Sequence, residues 1–120
     1  MKNLPLGLIG RIMYALPLLG FAIGHFTNAN QMAGMVPSFF PVPVVFVYLT
    51  GMALLAAAIS IIIQKKAKLA TMLLGVMLLL FALLLHLPGV MGGNQISMPG
   101  FMKDLSMAGA AFFMSSVFND

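Results

Sequence analysis

The chain has 120 residues, of which 62% are hydrophobic and 7% are charged, and it contains no cysteine. Soluble domains carry roughly 25% charged residues, so this composition predicts a single membrane domain that spans residues 1–120. The missing cysteines exclude disulfides, thiolate metal sites and covalent c-type haem within this chain. The net charge of +4 comes from cations near the ends of apolar segments rather than from a solvated basic face, so nucleic acid is not an expected partner.

Four apolar segments follow one another along the chain, at residues 6–27, 44–63, 69–87 and 101–118. At about 1.5 Å per residue, each covers most or all of a hydrocarbon core about 30 Å thick. The short connections favour an all-α fold, an antiparallel bundle of four transmembrane helices. Pro17 removes one hydrogen bond from the first helix and should bend it, and Pro88-Gly89 is expected to end the third.

The distribution of basic residues predicts how this bundle is oriented. Four spans place both termini and the central turn on one face, which then carries Lys2, Arg11, Lys65, Lys66 and Lys68. The opposite face carries only Lys103. This bias predicts cytoplasmic N- and C-termini in a bacterial-type inner (plasma) membrane. The Arg11 side chain is expected to reach the cytoplasmic headgroups.

The loop at residues 29–43 is too apolar for a freely solvated loop and too rich in proline for a regular helix. We expect it to lie in the membrane interface, with Phe39 and Phe40 directed toward lipid or capping the bundle. The second outer connection, residues 88–100, is rich in Gly and Met and has Asn94 and Gln95 as its polar groups.

Small residues on the segments predict where helices approach closely. Gly20 and Gly24 form a G-x-x-x-G pair, and Gly51 and Gly109 offer similar positions on the second and fourth segments. We interpret these glycines as contacts within the bundle, with a homo-oligomer face as the alternative. The twelve methionines are expected to fill irregular gaps.

The polar residues of the outer half are the candidate pocket residues: His25, Asn28, Tyr48, Thr50, His86, Lys103, Asp104 and Ser106. His25 and His86 are expected at the same depth. Three interpretations remain open for them: interfacial side chains bound to water or backbone, a shared inward pocket for a quinone headgroup or another small amphipath, and ligation of haem b. Asp104 is interpreted as an acid at a helix N-terminus, where the macrodipole favours it.

Several activities lack the residues that they need. The sequence shows no carboxylate at mid-membrane, no phosphate-binding loop, no paired acids and no cluster with zinc-ligand spacing, so no metal site is expected. Serine nucleophiles have no adjacent acid–base set. An ion-coupled transporter and an autonomous hydrolase are therefore not expected, and no cofactor is required.

Short motifs along nearly the whole chain resemble the DoxX family of small four-helix membrane proteins. They are Gly10-Arg11, Gly20-x-x-x-Gly24-His25-Phe26, the proline-containing outer loop, the basic turn after segment two, His86, and Lys103-Asp104-Leu105 followed by Gly109. The resemblance implies a four-helix bundle with an accessory role beside other membrane proteins. Relatives include subunits of thiosulfate:quinone oxidoreductase. Many members carry a glutamate early in segment two, where this chain has Leu49-Thr50-Gly51, and this difference weakens an inherited redox role.

Three functions follow as hypotheses. The first is an accessory or assembly subunit that binds other membrane proteins, not catalytic alone. The second is a subunit of a quinone-linked oxidoreductase, with His25, His86 and Tyr48 or Asp104 lining an outer-leaflet pocket. The third is a carrier of a small amphipathic molecule.

Overall fold

The computed structural model describes residues 5–120, and the helices account for most of them. The α-helices are α1 (Leu6–Thr27), α2 (Ala29–Met32), α3 (Pro43–Ile63), α4 (Ala67–Phe81), α5 (Leu87–Met91) and α6 (Ser97–Val117). A 3-10 turn, Ala33–Met35, follows α2, and a π-helical turn, Ala82–His86, joins α4 to α5. No strand is present among the described residues. The expected all-α class is thus confirmed.

The first two long helices end close to the bounds predicted from the sequence, whereas the last two helices extend beyond their predicted bounds. The third was expected to end at Pro88-Gly89, and this was wrong, because helical structure continues from Ala67 to Met91. The Leu87 N–H bonds to the Ala82 carbonyl five residues earlier, so a π turn leads into the proline that a regular α-helix would exclude. The fourth helix begins at Ser97 rather than at residue 101.

The core of the bundle is built largely from alanine. α1 packs along α3, α4 packs along α6, and α3 also contacts α4. Small side chains let these backbones approach closely, as is usual between helices in membranes. The fully or nearly fully buried residues of this core are Ala15, Leu18, Ala22, Leu54, Ala57, Ala58, Ile61, Leu74, Leu78, Ala108 and Ala111.

The outward-facing surface of the long helices is apolar. Met13 and Phe113 are each 69% exposed, and Leu73 is 55% exposed. Within the described residues, three helices are long and apolar enough to cross a membrane, namely Leu6–Thr27, Pro43–Ile63 and Ala67–Met91. Helix α6 has a similar length, but Lys103, Asp104 and its serines make it more polar than the other three. The fold is therefore compatible with an integral membrane protein.

Cations at one end of the bundle bond to helix C-termini. One guanidinium nitrogen of Arg11 donates to the carbonyls of Ile61 and Ile62, at 3.2 and 3.1 Å, in the last turn of α3. Lys68 Nζ donates to the Ser115 carbonyl near the end of α6, at 2.8 Å. These carbonyls carry the negative end of the helix dipole. One nitrogen of the Arg11 guanidinium is thus engaged at the end of α3, and its contact with the headgroups stays a prediction. Lys2 lies outside the described residues.

A single side-chain hydrogen bond fastens α1 to α6. The Tyr14 hydroxyl donates to the Met107 carbonyl at 2.7 Å. α1 and α6 are not among the helix pairs that pack along their lengths. Beyond this bond, toward the end opposite Arg11, the space between the helices widens into a cavity.

Candidate functional site

A cavity of about 350 Å³ lies between the helices at the end of the bundle opposite the basic turn. Its walls come from α1, α3, α4, the π turn and α6, and the loop before α3 covers it. Most of the lining is apolar. The polar side chains that reach it are His25, Thr50, His86, Lys103 and Asp104. Five of the eight pocket candidates are thus brought together, from four separate helical elements.

The polar centre of this cavity is a pair formed by His86 and Asp104. His86 Nε2 lies 3.0 Å from Asp104 Oδ2, and the Asp104 side chain is only 6% exposed. Because a carboxylate accepts, Nε2 carries the proton in this contact. The interpretation of Asp104 as an acid at a helix N-terminus was wrong: α6 begins at Ser97, and Asp104 lies about two turns further along, where His86 is its partner.

The His86 ring occupies a space that a glycine leaves open. A Cβ added to Gly100 would lie 2.8 Å from both Cε1 and Nδ1 of His86, closer than real side chains approach. The π turn that ends at His86 is the second local feature, and π turns inside α-helices often occur at functional sites. A small residue on α6 and a widened turn before α5 together position the imidazole against Asp104.

Lys103 brings a cation to the rim of the cavity. Its Nζ lies 3.9 Å from Asp104 Oδ1 and 5.0 Å from the centre of the Phe21 ring. The first distance is too long for a hydrogen bond, and the second fits a cation–π contact. The Lys103 side chain is 52% exposed, which leaves the ammonium free to reach the interface. Lys103 thus offsets the charge of Asp104 without forming a hydrogen bond to Asp104 Oδ1.

His25 reaches the same cavity from α1. Its Nδ1 lies 2.6 Å from the Phe21 carbonyl, which can only accept, so Nδ1 carries a proton, and in this tautomer Nε2 is an acceptor. Close packing holds this part of α1: a Cβ added to Gly51 would lie 2.9 Å from the His25 Cβ. Among the glycines predicted to permit close contact, Gly51 is the one that positions a pocket residue.

The loop before α3 forms the cover of the cavity. Met32, Val36 and Phe40 line the cavity, and the Phe40 ring packs on the Phe46 ring at 4.7 Å. Phe39 points away and is 71% exposed. Of the two phenylalanines, Phe40 caps the bundle while Phe39 is directed outward.

Three pocket candidates lie elsewhere. Asn28 and Tyr48 border a separate recess of about 200 Å³ beside α2, where the Tyr48 ring stacks on Phe26 at 6.1 Å. Ser106 is exposed on α6 and lines neither space. The cavity therefore does not include these three residues, although each is polar and lies in the same half of the chain.

The remaining predicted packing glycines make no close contact within this chain. Among the described residues, nothing lies within 4 Å of a Cβ added to Gly20, Gly24 or Gly109. The expectation that they mediate contacts inside the bundle was wrong, because these positions face away from the neighbouring helices. The close helix contacts use Gly51 and Gly75, and the Phe112 ring lies against Gly75.

The lining of the site combines mostly apolar side chains with a few polar ones. The described residues contain no group of three or more His, Asp or Glu side chains placed to hold a metal ion. The Nε2 atom of His86 is engaged by Asp104, and Nδ1 faces Gly100, so this ring is poorly placed to ligate haem iron. An apolar space with a few convergent polar groups is typical of a small-molecule site.

Sequence reasoning missed most of the apolar lining and the role of Gly100. Phe21, Val36 and Phe46 contribute to the cavity, yet their sequence surroundings resemble those of lipid-facing residues. The proline-rich loop was the one signal for a cover. No family model, curated protein or solved structure matches this chain.

Proposed function

We propose that this chain is an integral membrane protein that binds a small amphipathic molecule in the cavity between α1, α3, α4 and α6. In this proposal the four long helices cross the bilayer, with the basic turn at Lys65, Lys66 and Lys68 in the cytoplasm of a bacterial-type cell. The bias in basic residues supports this orientation. It places the cavity in the outer half of the membrane.

The observation that carries the proposal is the cavity itself. Its volume of about 350 Å³ falls in the range of small-molecule sites. His86 and Lys103 lie next to the buried Asp104, and His25 and Thr50 line the same cavity. Ionisable groups in such surroundings are costly, and function is the usual reason for their presence. A ligand with one polar end and an apolar body would match this lining.

The resemblance to the DoxX family supports a subunit role for this binding protein. In that role the chain acts beside a membrane partner and supplies or holds a lipophilic molecule for it. A quinone, whose reduced quinol form carries hydroxyl groups on its headgroup, is one ligand of the right kind, which makes a subunit of a quinone-linked oxidoreductase the redox form of the proposal. A purely structural assembly subunit would also use the His86–Asp104 pair to join its helices, so it is the cavity beside the pair that favours ligand binding.

The proposal is tested on protein purified in a mild detergent from its native membrane. We expect organic extraction followed by mass spectrometry to recover one small amphipath in near-stoichiometric amount. Val36→Trp, which fills the cavity from the loop, should lower this amount at least about fivefold, because the bulky ring competes for the same volume. Gln95→Trp, at an exposed position in the turn before α6, is the matched control and should retain the ligand.

The alternatives predict different results. Equal recovery from the wild type and from Val36→Trp would contradict binding in the cavity. A ligand-free protein that co-purifies with one membrane protein in stoichiometric amount would favour the assembly subunit. A quinone absorbance spectrum that disappears on reduction would identify the redox form.

A further inference from the structure

We infer that the ligand of this cavity is a neutral molecule whose polar end is a hydroxyl group, bound between Asp104, His25 and Lys103. This inference rests on the proposed function and names the chemical class of the molecule. It follows from the hydrogen-bonding groups that the cavity leaves unused.

Two acceptors in the cavity have no donor within the described residues. Asp104 uses Oδ2 for His86, while Oδ1 has only the Lys103 ammonium at 3.9 Å, beyond hydrogen-bond distance. His25 uses Nδ1 for the Phe21 carbonyl, which leaves Nε2 as an acceptor. No fully buried side-chain nitrogen or oxygen among the described residues lacks a partner, so both atoms keep some accessible surface, and both residues line the cavity.

A hydroxyl group satisfies these atoms better than a carbonyl or an ether does. A ligand oxygen without a proton would accept from Lys103 but would leave Asp104 Oδ1 and His25 Nε2 unpaired. Unpaired acceptors in apolar surroundings are costly. A hydroxyl group donates one hydrogen bond to either atom and still accepts one from the lysine. Since Lys103 and Asp104 have opposite charges, the pair adds no net charge that would favour an ionic ligand.

The position of the polar groups fixes the orientation of such a ligand. Lys103 and Asp104 are adjacent on α6, and Lys103 Nζ lies over the Phe21 ring of α1. The hydroxyl end therefore lies at the α1–α6 side of the cavity. The apolar body extends toward Leu54 of α3 and Leu78 of α4, which line the cavity and belong to the core.

The inference is tested with three probes that share one body: 4-propylphenol, its methyl ether 4-propylanisole, and 4-propylbenzoate. Binding to the full chain in lipid nanodiscs is measured by equilibrium dialysis, with protein-free nanodiscs as the blank for partition into lipid. We expect the phenol to bind about tenfold more tightly than the ether, which keeps the acceptor and loses the donor. His25→Phe should narrow this difference, whereas Ser106→Ala, outside the cavity, should preserve it.

The outcomes separate this inference from the proposed function. If the phenol and the ether bind equally and Val36→Trp reduces the binding of both, the cavity binds ligands but the hydroxyl inference is overturned. Tighter binding of the benzoate would overturn it in favour of an anionic ligand. If none of the probes binds above the blank, both the inference and the proposed function fail. The comparison in wild-type protein does not depend on whether any variant folds.

Discussion

Asp104 on α6 accepts a hydrogen bond from Nε2 of His86, 3.0 Å away at the end of the π turn. The carboxylate is almost fully buried, and Asp104 lines the cavity. This pair links the third long helical run to the fourth. It also supplies the main polar contact in an otherwise apolar space, so both the stability and the binding proposed for this protein depend on it.

The coupling between His86 and Asp104 is measurable. Asp104→Leu should lower the free energy of unfolding by about 1–3 kcal/mol, because the partly buried His86 N–H loses its acceptor. His86→Phe should have a comparable cost. The double variant should cost clearly less than the sum of the two, because no partner is then left unpaired. Denaturant titration in detergent micelles measures all three.

Ser106→Ala is the control for this cycle, since Ser106 is exposed on the same helix. It should change the free energy of unfolding by no more than about 0.5 kcal/mol. Strict additivity of the two single substitutions would show that the pair is not coupled in the folded protein.

Gly100 and Gly109 lie on the same helix, but a methyl group added at each position should affect stability differently. Gly100→Ala places a Cβ against the His86 ring, whereas Gly109→Ala enters open space. Both gain the same helix propensity, so their difference isolates the steric term. Gly100→Ala should be less stable than Gly109→Ala by about 1–3 kcal/mol. Thermal unfolding of the two variants tests this, and equal melting temperatures would contradict the close contact.

Arg11 is expected to stabilise the end of α3. Arg11→Met removes two hydrogen bonds from a charged donor to the carbonyls of Ile61 and Ile62 and should cost about 1–3 kcal/mol. Lys65→Met removes an exposed cation from the neighbouring turn and serves as the control, with an effect near zero. Hydrogen exchange of the last turn of α3 should quicken only in the Arg11 variant. An equal effect of both substitutions would indicate a general loss of positive charge instead.

Orientation in the membrane can be determined directly, because the chain has no cysteine of its own. Lys65→Cys should react with a membrane-impermeant maleimide only from the cytoplasmic side, and Gln95→Cys only from the opposite side. Both positions are exposed, at opposite ends of the helical run from Ala67 to Met91. If the two cysteines react from the same side, the number of membrane spans between residues 65 and 95 is not odd. If each reacts only from the side opposite to the expected one, the predicted orientation is wrong.

Parts of the site were predictable because they depend on how deep each residue lies along its helix. The number of residues from the helix end gives this depth. His25, Thr50, His86, Lys103 and Asp104 were all expected in the outer half, and the cavity brings these five together. The same residue positions placed Tyr48 and Ser106 in the outer half, yet neither side chain lines the cavity. Depth alone does not determine which way a side chain points. In a helix surrounded by lipid, both the outward and the inward faces are apolar, so the hydrophobic pattern carries little information about rotation.

The sequence by itself determined the helical class, the positions of the long apolar helices and the end of the molecule where chemistry is expected. These properties depend on local composition, helix rise and the spacing of charges. Only the tertiary structure decided that Asp104 pairs with His86, that Arg11 binds the end of α3, and that Gly51 and Gly100 rather than Gly20 and Gly24 make room for neighbours. Those relationships depend on the rotation and separation of whole helices, which are set by packing against neighbouring helices rather than by any one segment.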